Sequence, residues 1–219
     1  QTGAGMMDCK KALNETNGDM DAAVEYLRKN GQAKAEKKAD RIAAEGLVDI
    51  VTEGNTAAIV EVNSETDFVA NNDKFKAYVK EVANAALATK ACDIDGFLAD
   101  KWISDSSKTV KEALDEEIAV IGEKLSIRRF EKVTADKGIV VSYIHGGGRI
   151  GVVINADCPA PNDDIREALH NVAMQIAALN PKYIRDSDVD QEYLDHETEI
   201  IKAQIENDPK EAAKPDKVK

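Results

Sequence analysis

The chain has 219 residues, 43% of them hydrophobic and only 5% aromatic, with 29 Lys and Arg against 41 Asp and Glu for a net charge of −12. That length suits one large domain, or two small ones with an added module. The acidic balance, with no Lys or Arg between Asp186 and Glu199, repels a phosphate backbone and argues against a direct nucleic-acid partner. No apolar run approaches the ~20 residues that a membrane-spanning helix needs. Cys9, Cys92 and Cys158 are isolated, without CxxC or CxxH spacing, so neither a zinc site nor a disulfide framework is signalled, and reduced thiols in a cytosol-like compartment fit best. No secretory or transit pattern opens the chain at Gln1, and the lack of an initiating Met leads us to expect sequence upstream.

Gly3-Ala4-Gly5 precedes a short helical pattern, Met6 to Leu13, which Asn17-Gly18 breaks. Asp19 is placed to cap a second helix, Met20 to Asn30, with Met20, Val24 and Leu27 on one face and Gly31 as its terminator. Two such helices bury little alone, so a third, upstream, is expected to complete a three-helix module. Met6 and Met7 read first as core filler, but adjacent positions on a helix cannot both point inward, and Met suits an adaptable contact surface, so the alternative reading makes one of them an exposed partner contact. Residues 32–45 are rich in Ala and Lys without a wide apolar face and read as a helical linker.

From Gly46 an internal repeat begins. Residues 46–63 overlay 138–155 without gaps, with identities at Gly46/Gly138, Val48/Val140, Gly54/Gly146, Val60/Val152 and Asn63/Asn155. Each copy reads as a hairpin around a Gly turn, followed by an amphipathic helix. The first helix aligns Phe75, Val79, Val82, Ala83 and Ala86; the second aligns Ile165, Leu169, Val172, Ala173 and Ile176. Between the copies, Val110, Leu114, Ile118, Ile121 and Leu125 mark a long amphipathic helix, and Ser126 to Phe130 turns into a strand. Beyond the second copy Pro181 ends the helix, Glu192 to Ile205 forms another, and Asn207 to Lys219 reads as a frayed tail.

The expected fold is therefore α+β. A helical module (1–31) and a linker (32–45) lead into a core of two related half-domains (46–136 and 137–200), each an antiparallel hairpin sheet with packed helices, and a tail or truncated continuation (201–219) follows.

The stretch that asks for a functional explanation is Asn63-Ser64-Glu65-Thr66-Asp67-Phe68-Val69-Ala70-Asn71, a strand-to-helix junction of the kind that a rigid scaffold holds out for use. Phe68 is either a packing staple or a wedge aimed at a partner. The second copy carries Ala-Asp-Cys-Pro-Ala-Pro-Asn after Asn155, with no aromatic, which weighs toward a working role. His145-Gly146-Gly147-Gly148 imitates an esterase oxyanion loop, but no Gly-x-Ser-x-Gly elbow accompanies it, and no phosphate-binding GxxxxGK[ST] loop is present. His145 lies at the expected turn, where it either idles or touches a partner. His170 and His196 lack a second ligand at metal spacing. No catalytic constellation emerges.

Residues 2–13, 61–70, 145–152 and 170–181 resemble, in order and spacing, the signature segments of the elongation factor Ts family. The resemblance implies a non-catalytic guanine nucleotide exchange factor for the GTPase elongation factor Tu, without a cofactor or metal of its own and without direct nucleic-acid or membrane contact. It also implies a ubiquitin-associated (UBA)-like module whose first helix is missing here, a cytoplasmic or organellar-matrix setting, and a dimer of heterodimers as one assembly. Asp67 and Phe68, flanked by Thr66 and Val69, are then expected to insert near the magnesium and GDP of the GTPase. Met6 and Met7 are expected to contact a helix of its GTPase domain, with Ile121, Gly122 and His145 also at the interface. The rival reading is a passive adaptor that binds its partner without altering nucleotide lifetime.

Overall fold

The computed structural model describes residues 2–208 and 210, in two compact units, one ending at Ala178 and one beginning at Leu179. In the first, α1 (Met6–Glu15) stops at Asn17 and Gly18, both with positive φ. The Asp19 carboxylate accepts from the Ala22 amide to open α2 (Met20–Glu36). Contrary to the sequence expectation, Gly31 does not terminate α2, which runs one and a half turns further. Gly31 is buried instead against the later helix α6 (Val110–Ile121), where a Cβ would meet Ala119 at 3.6 Å. A small residue lets two helices approach, and that packing outweighs its poor helix propensity. Arg28 joins the same two helices through Glu116 at 3.2 Å. Met20, expected on the apolar face with Val24 and Leu27, is exposed.

Strands β1 (Glu45–Glu53) and β2 (Thr56–Ser64) form the first hairpin, and β3 (Ser126–Thr134) adds to the far edge of β2, all antiparallel, in the order β1-β2-β3. The second hairpin, β4 (Gly138–His145) and β5 (Ile150–Asp157), forms its own two-stranded sheet. The two hairpins begin alike: a Cβ on Gly46 would lie 2.2 Å from the Val62 carbonyl oxygen, and one on Gly138 would lie 2.0 Å from that of Ala156. Only glycine permits such an approach.

The gapless overlay nevertheless fails in the second strand. Gly46 faces Asn63, whereas Gly138 faces Asp157 rather than Asn155. The turn at 146–149 is two residues longer than the turn at 54–55, and a slip of two leaves every side chain on its original face.

Alternation along the strands divides the core. Leu47, Val51, Ala58, Val60, Val62, Ile127 and Phe130 face the helical layer of α4 (Asp73–Ala88), α5 (Ile94–Ala99) and α6. There Phe75, Val79, Val82, Ala83 and Ala86 are buried as the periodicity requires, and Tyr78 stacks on Trp102 at 5.8 Å. Ile50, Ala57 and Ile59 face the other way and pack with Val133, Ala135, Val140 and Val153. The middle of the first sheet is therefore covered on both sides.

Helix α6 starts in a reciprocal capping box between Thr109 and Glu112 and stops at Gly122, whose φ of 88° places it in the left-handed region. Leu125, counted by pattern with the helix, is buried beyond its end. Helix α7 (Asp163–Leu179) buries Ala173 and half-buries Ile165, Leu169 and Ile176, while Val172, expected on the same face, is 48% exposed. In the second unit, α8 (Gln191–Asn207) is capped by Asp190, and Tyr193 stands edge-on to Tyr183 with Lys182 over its ring. Of the expected tail, Pro209 and residues 211–219 lie outside the described residues.

Candidate functional site

The junction after β2 is built as a braced corner. The Ser64 side chain is fully buried and its hydroxyl donates to the Thr66 carbonyl at 3.0 Å, turning the chain out of the sheet. Asp67–Ala70 then forms a single helical turn, α3, with Thr66 as N-cap accepting from the Val69 amide at 3.4 Å. Asn71 donates from its side chain to the Asp67 carbonyl at 2.9 Å, closing the other end of that turn. Asn72 caps α4, accepting from the Lys74 amide at 2.8 Å. Ala70 is buried and Val69 packs on the helical core, so the corner is fixed by its even-handed neighbours while Asp67 and Phe68 point out.

Phe68 is 85% exposed, which excludes the staple reading. A lone exposed apolar residue is ordinary on a surface, but here the ring stands on a capped, cross-braced turn rather than on a loose loop. The brace comes from the segment after α6, a signal that sequence reasoning missed because it joins residues 57 apart. The Glu123 carboxylate accepts from the Thr66 hydroxyl at 2.7 Å and from the Thr66 amide at 3.1 Å. In return the Glu65 carboxylate accepts from the Lys124 amide at 2.6 Å and from Arg41 at 3.3 Å. The Lys124 amide, opposed by partial burial and aided by Arg41 and Lys38, holds the Glu65 carboxyl below its ordinary range. The Lys124 ammonium in turn donates to the carbonyls of Ala39 and Arg41, so the connection between α2 and β1 joins the same junction.

The structure therefore brings Thr66, Asp67, Phe68 and Val69 together with the end of α6, where Ile121 packs on the core and Gly122 makes the turn into Glu123. Met6 and Met7, on the first turn of α1, are 85% and 73% exposed, so both present apolar surface. Gly3, just before them, lies beside Val120 of α6, 3.7 Å from where a Cβ would sit. His145 is exposed at the β4–β5 turn, with Nδ1 2.9 Å from the Tyr143 hydroxyl. Tyr143, not singled out by sequence, also meets His170 edge-on with ring centroids 5.3 Å apart.

Among the described residues, no group of three or more His, Cys, Asp or Glu is arranged to hold a metal ion. No described helix is long and apolar enough to cross a membrane.

A family model described as elongation factor TS matches residues 65–219, starting within the braced corner. The elongation factor Ts of Clostridium tetani (strain Massachusetts / E88) is 48% identical over 219 residues, covering 99% of this chain and 71% of that protein. This chain belongs to the elongation factor Ts family. The elongation factor Ts of Clostridium novyi (strain NT) agrees at 47% identity over 220 residues, covering 100% of this chain and 71% of that relative. Membership makes it a translation elongation factor by class and accords with the α+β architecture of antiparallel sheets and packed helices.

Proposed function

We propose that this chain is a guanine nucleotide exchange factor for elongation factor Tu, acting in the cytoplasm without a catalytic group of its own. The observation that carries the reading is the exposure of Phe68 on a turn whose leading residues, Glu65 and Thr66, are braced by Lys124 and Glu123. A side chain meant to enter a partner must be free of its own core and yet fixed in direction, and Phe68 meets both conditions. Asp67 stands next to it and supplies a carboxylate that competes for polar ligands around the GTPase magnesium. Thr66 and Val69 frame the pair, Met6 and Met7 offer a second contact, and Ile121, Gly122 and His145 complete the surface. The division into a UBA-like module, a linker and two half-domains is part of the same proposal.

The energetics are those of linkage. A factor that binds the nucleotide-free GTPase more tightly than its GDP form weakens GDP by the same ratio. Burying one Phe side chain contributes roughly 1.5–3 kcal/mol, and each tenfold in rate corresponds to about 1.4 kcal/mol. Phe68 alone can therefore account for one to two decades, and the wider interface supplies the remainder. The wedge displaces packing beside the magnesium, the phosphates lose part of their neutralisation, and GDP leaves.

The test is release of a fluorescent GDP analogue from elongation factor Tu, timed with and without this chain. Acceleration that depends on Phe68 is the expected result. Binding without acceleration would overturn the proposal in favour of a passive adaptor held by the exposed Met6 and Met7.

A further inference from the structure

We propose that Glu123 is a positioning residue for the Asp67–Phe68 turn, the central member of a crossed clasp that holds the wedge in its inserting geometry before the partner arrives. This inference rests on the exchange reading above. The clasp has a reciprocal form: Glu123 accepts the Thr66 amide, and Glu65 accepts the Lys124 amide, so each segment's carboxylate binds the backbone of the other. Two parallel bonds from one carboxylate to one residue also fix orientation, because both must be kept at once.

The Thr66 hydroxyl carries the effect into the turn. It donates to Glu123 at 2.7 Å and simultaneously accepts from the Val69 amide at 3.4 Å. With its hydrogen directed at Glu123, the hydroxyl presents an oxygen lone pair to the amide that closes α3. The clasp touches neither Asp67 nor Phe68, so the surface offered to the partner keeps its full area.

The other carboxylate of the clasp, Glu65, is tied to Arg41, and the Lys124 ammonium is tied to the Ala39 and Arg41 carbonyls. Three stretches far apart in sequence thus converge on one corner. Pre-ordering of this kind lowers what association must spend on fixing a loop. If the competent geometry falls to about one-tenth of the population, the apparent dissociation constant rises about tenfold while the saturated complex is unaltered.

That gives the proposal a signature distinct from loss of the wedge. Exchange is followed on elongation factor Tu carrying a fluorescent GDP analogue, over a range of concentrations of the full chain, for wild type, Glu123→Ala, Glu123→Gln and Phe68→Ala. Glu123→Ala is expected to raise the half-saturating concentration about tenfold with the maximal rate within about twofold of wild type. Phe68→Ala is expected to lower the maximal rate instead. Glu123→Gln, which keeps an acceptor for the Thr66 amide, is expected to recover part of the loss, and it serves alone if the alanine variant does not fold.

Amide hydrogen exchange, which needs no partner, supplies the second readout: Thr66 and Val69 should exchange about tenfold faster in Glu123→Ala. An unchanged half-saturating concentration, or unchanged Thr66 protection in a folded Glu123 variant, overturns the clasp. If wild type fails to accelerate release, the exchange reading falls, and the clasp is then decided by amide protection alone.

Discussion

The two hairpins of the core lead from their second strands into different corners. After β2 the chain makes a buried Ser64, a capped turn and an exposed Phe68, held by a carboxylate from the end of α6. After β5 it makes Cys158-Pro159-Ala160-Pro161-Asn162, where the Asn162 side chain accepts from the Ile165 amide at 2.9 Å to start α7. Both corners cap a helix with Asn, so the shared need is to change direction and begin that helix. What the first has in addition, a projecting ring and a remote brace, is not required by the turn. Duplicated scaffolds separate what folding demands from what use demands, because the demand of folding appears twice.

The comparison breaks most readily at the glycines that both hairpins share. Gly46→Ala adds a Cβ 2.2 Å from a carbonyl oxygen at a φ of 140°, and Gly138→Ala adds one 2.0 Å from another. Each is expected to cost about 3 kcal/mol, the upper part of the range for overpacking, as a lowered midpoint in urea unfolding. Equal losses would support an equivalent role, and a loss in only one would dissolve it.

The difference between the corners is sharpened next by Phe68→Ala, expected to slow maximal exchange by about 10- to 100-fold. Because the ring is exposed, the unfolding midpoint should stay put, and a large stability loss would mean that the ring belongs to the core after all.

Cap removal comes third: Asn72→Ala and Asn162→Ala should each cost about 1 kcal/mol in the same unfolding assay. Nucleotide exchange should suffer only for Asn72→Ala, whose helix starts beside the projecting turn.

The smallest effect concerns pH. The Glu65 carboxyl is held below its ordinary value in the folded chain, so its contribution is complete above the unfolded value and is lost as pH falls through the lower folded one. Glu65→Gln should flatten the acid limb of stability against pH by lowering the neutral values while leaving those at low pH nearly unchanged. Glu117 has the opposite sign, since burial raises its carboxyl above the ordinary range. Its ionisation costs stability as pH rises, so Glu117→Gln should raise the melting temperature at neutral pH.

Much of this was readable in the chain. The α4 face from Phe75 to Ala86 is buried as its spacing requires, and the missing aromatic after β5 singles out Phe68, which is exposed. Local patterns report which face is apolar, and alternation survives a slip of two, so the hairpins were found although the second register was not. The misses have two causes. Gly31 resembles a helix end unless Ala119 is beside it, and Glu123 is an unremarkable acid unless Thr66 is opposite; both depend on a partner that sequence distance conceals. Leu125 fits the α6 period although Gly122, three residues before it, has already ended that helix, and an apolar period does not register a left-handed turn.

The order β1-β2-β3 bears also on how the chain meets water while it is being made. Thr56 pairs with Thr134, 78 residues later (134 − 56), so the central strand of the first sheet leaves the ribosome long before its second neighbour. At about 5–20 residues per second, that edge waits roughly 4 to 16 seconds. Throughout that interval β2 presents Ala57, Ala58, Val60 and Val62 beside unpaired backbone groups, a template for adventitious strand pairing. The same interval is when α3 to α6 are synthesised, so the helices that cover one face of β2 emerge ahead of the strand that closes its edge.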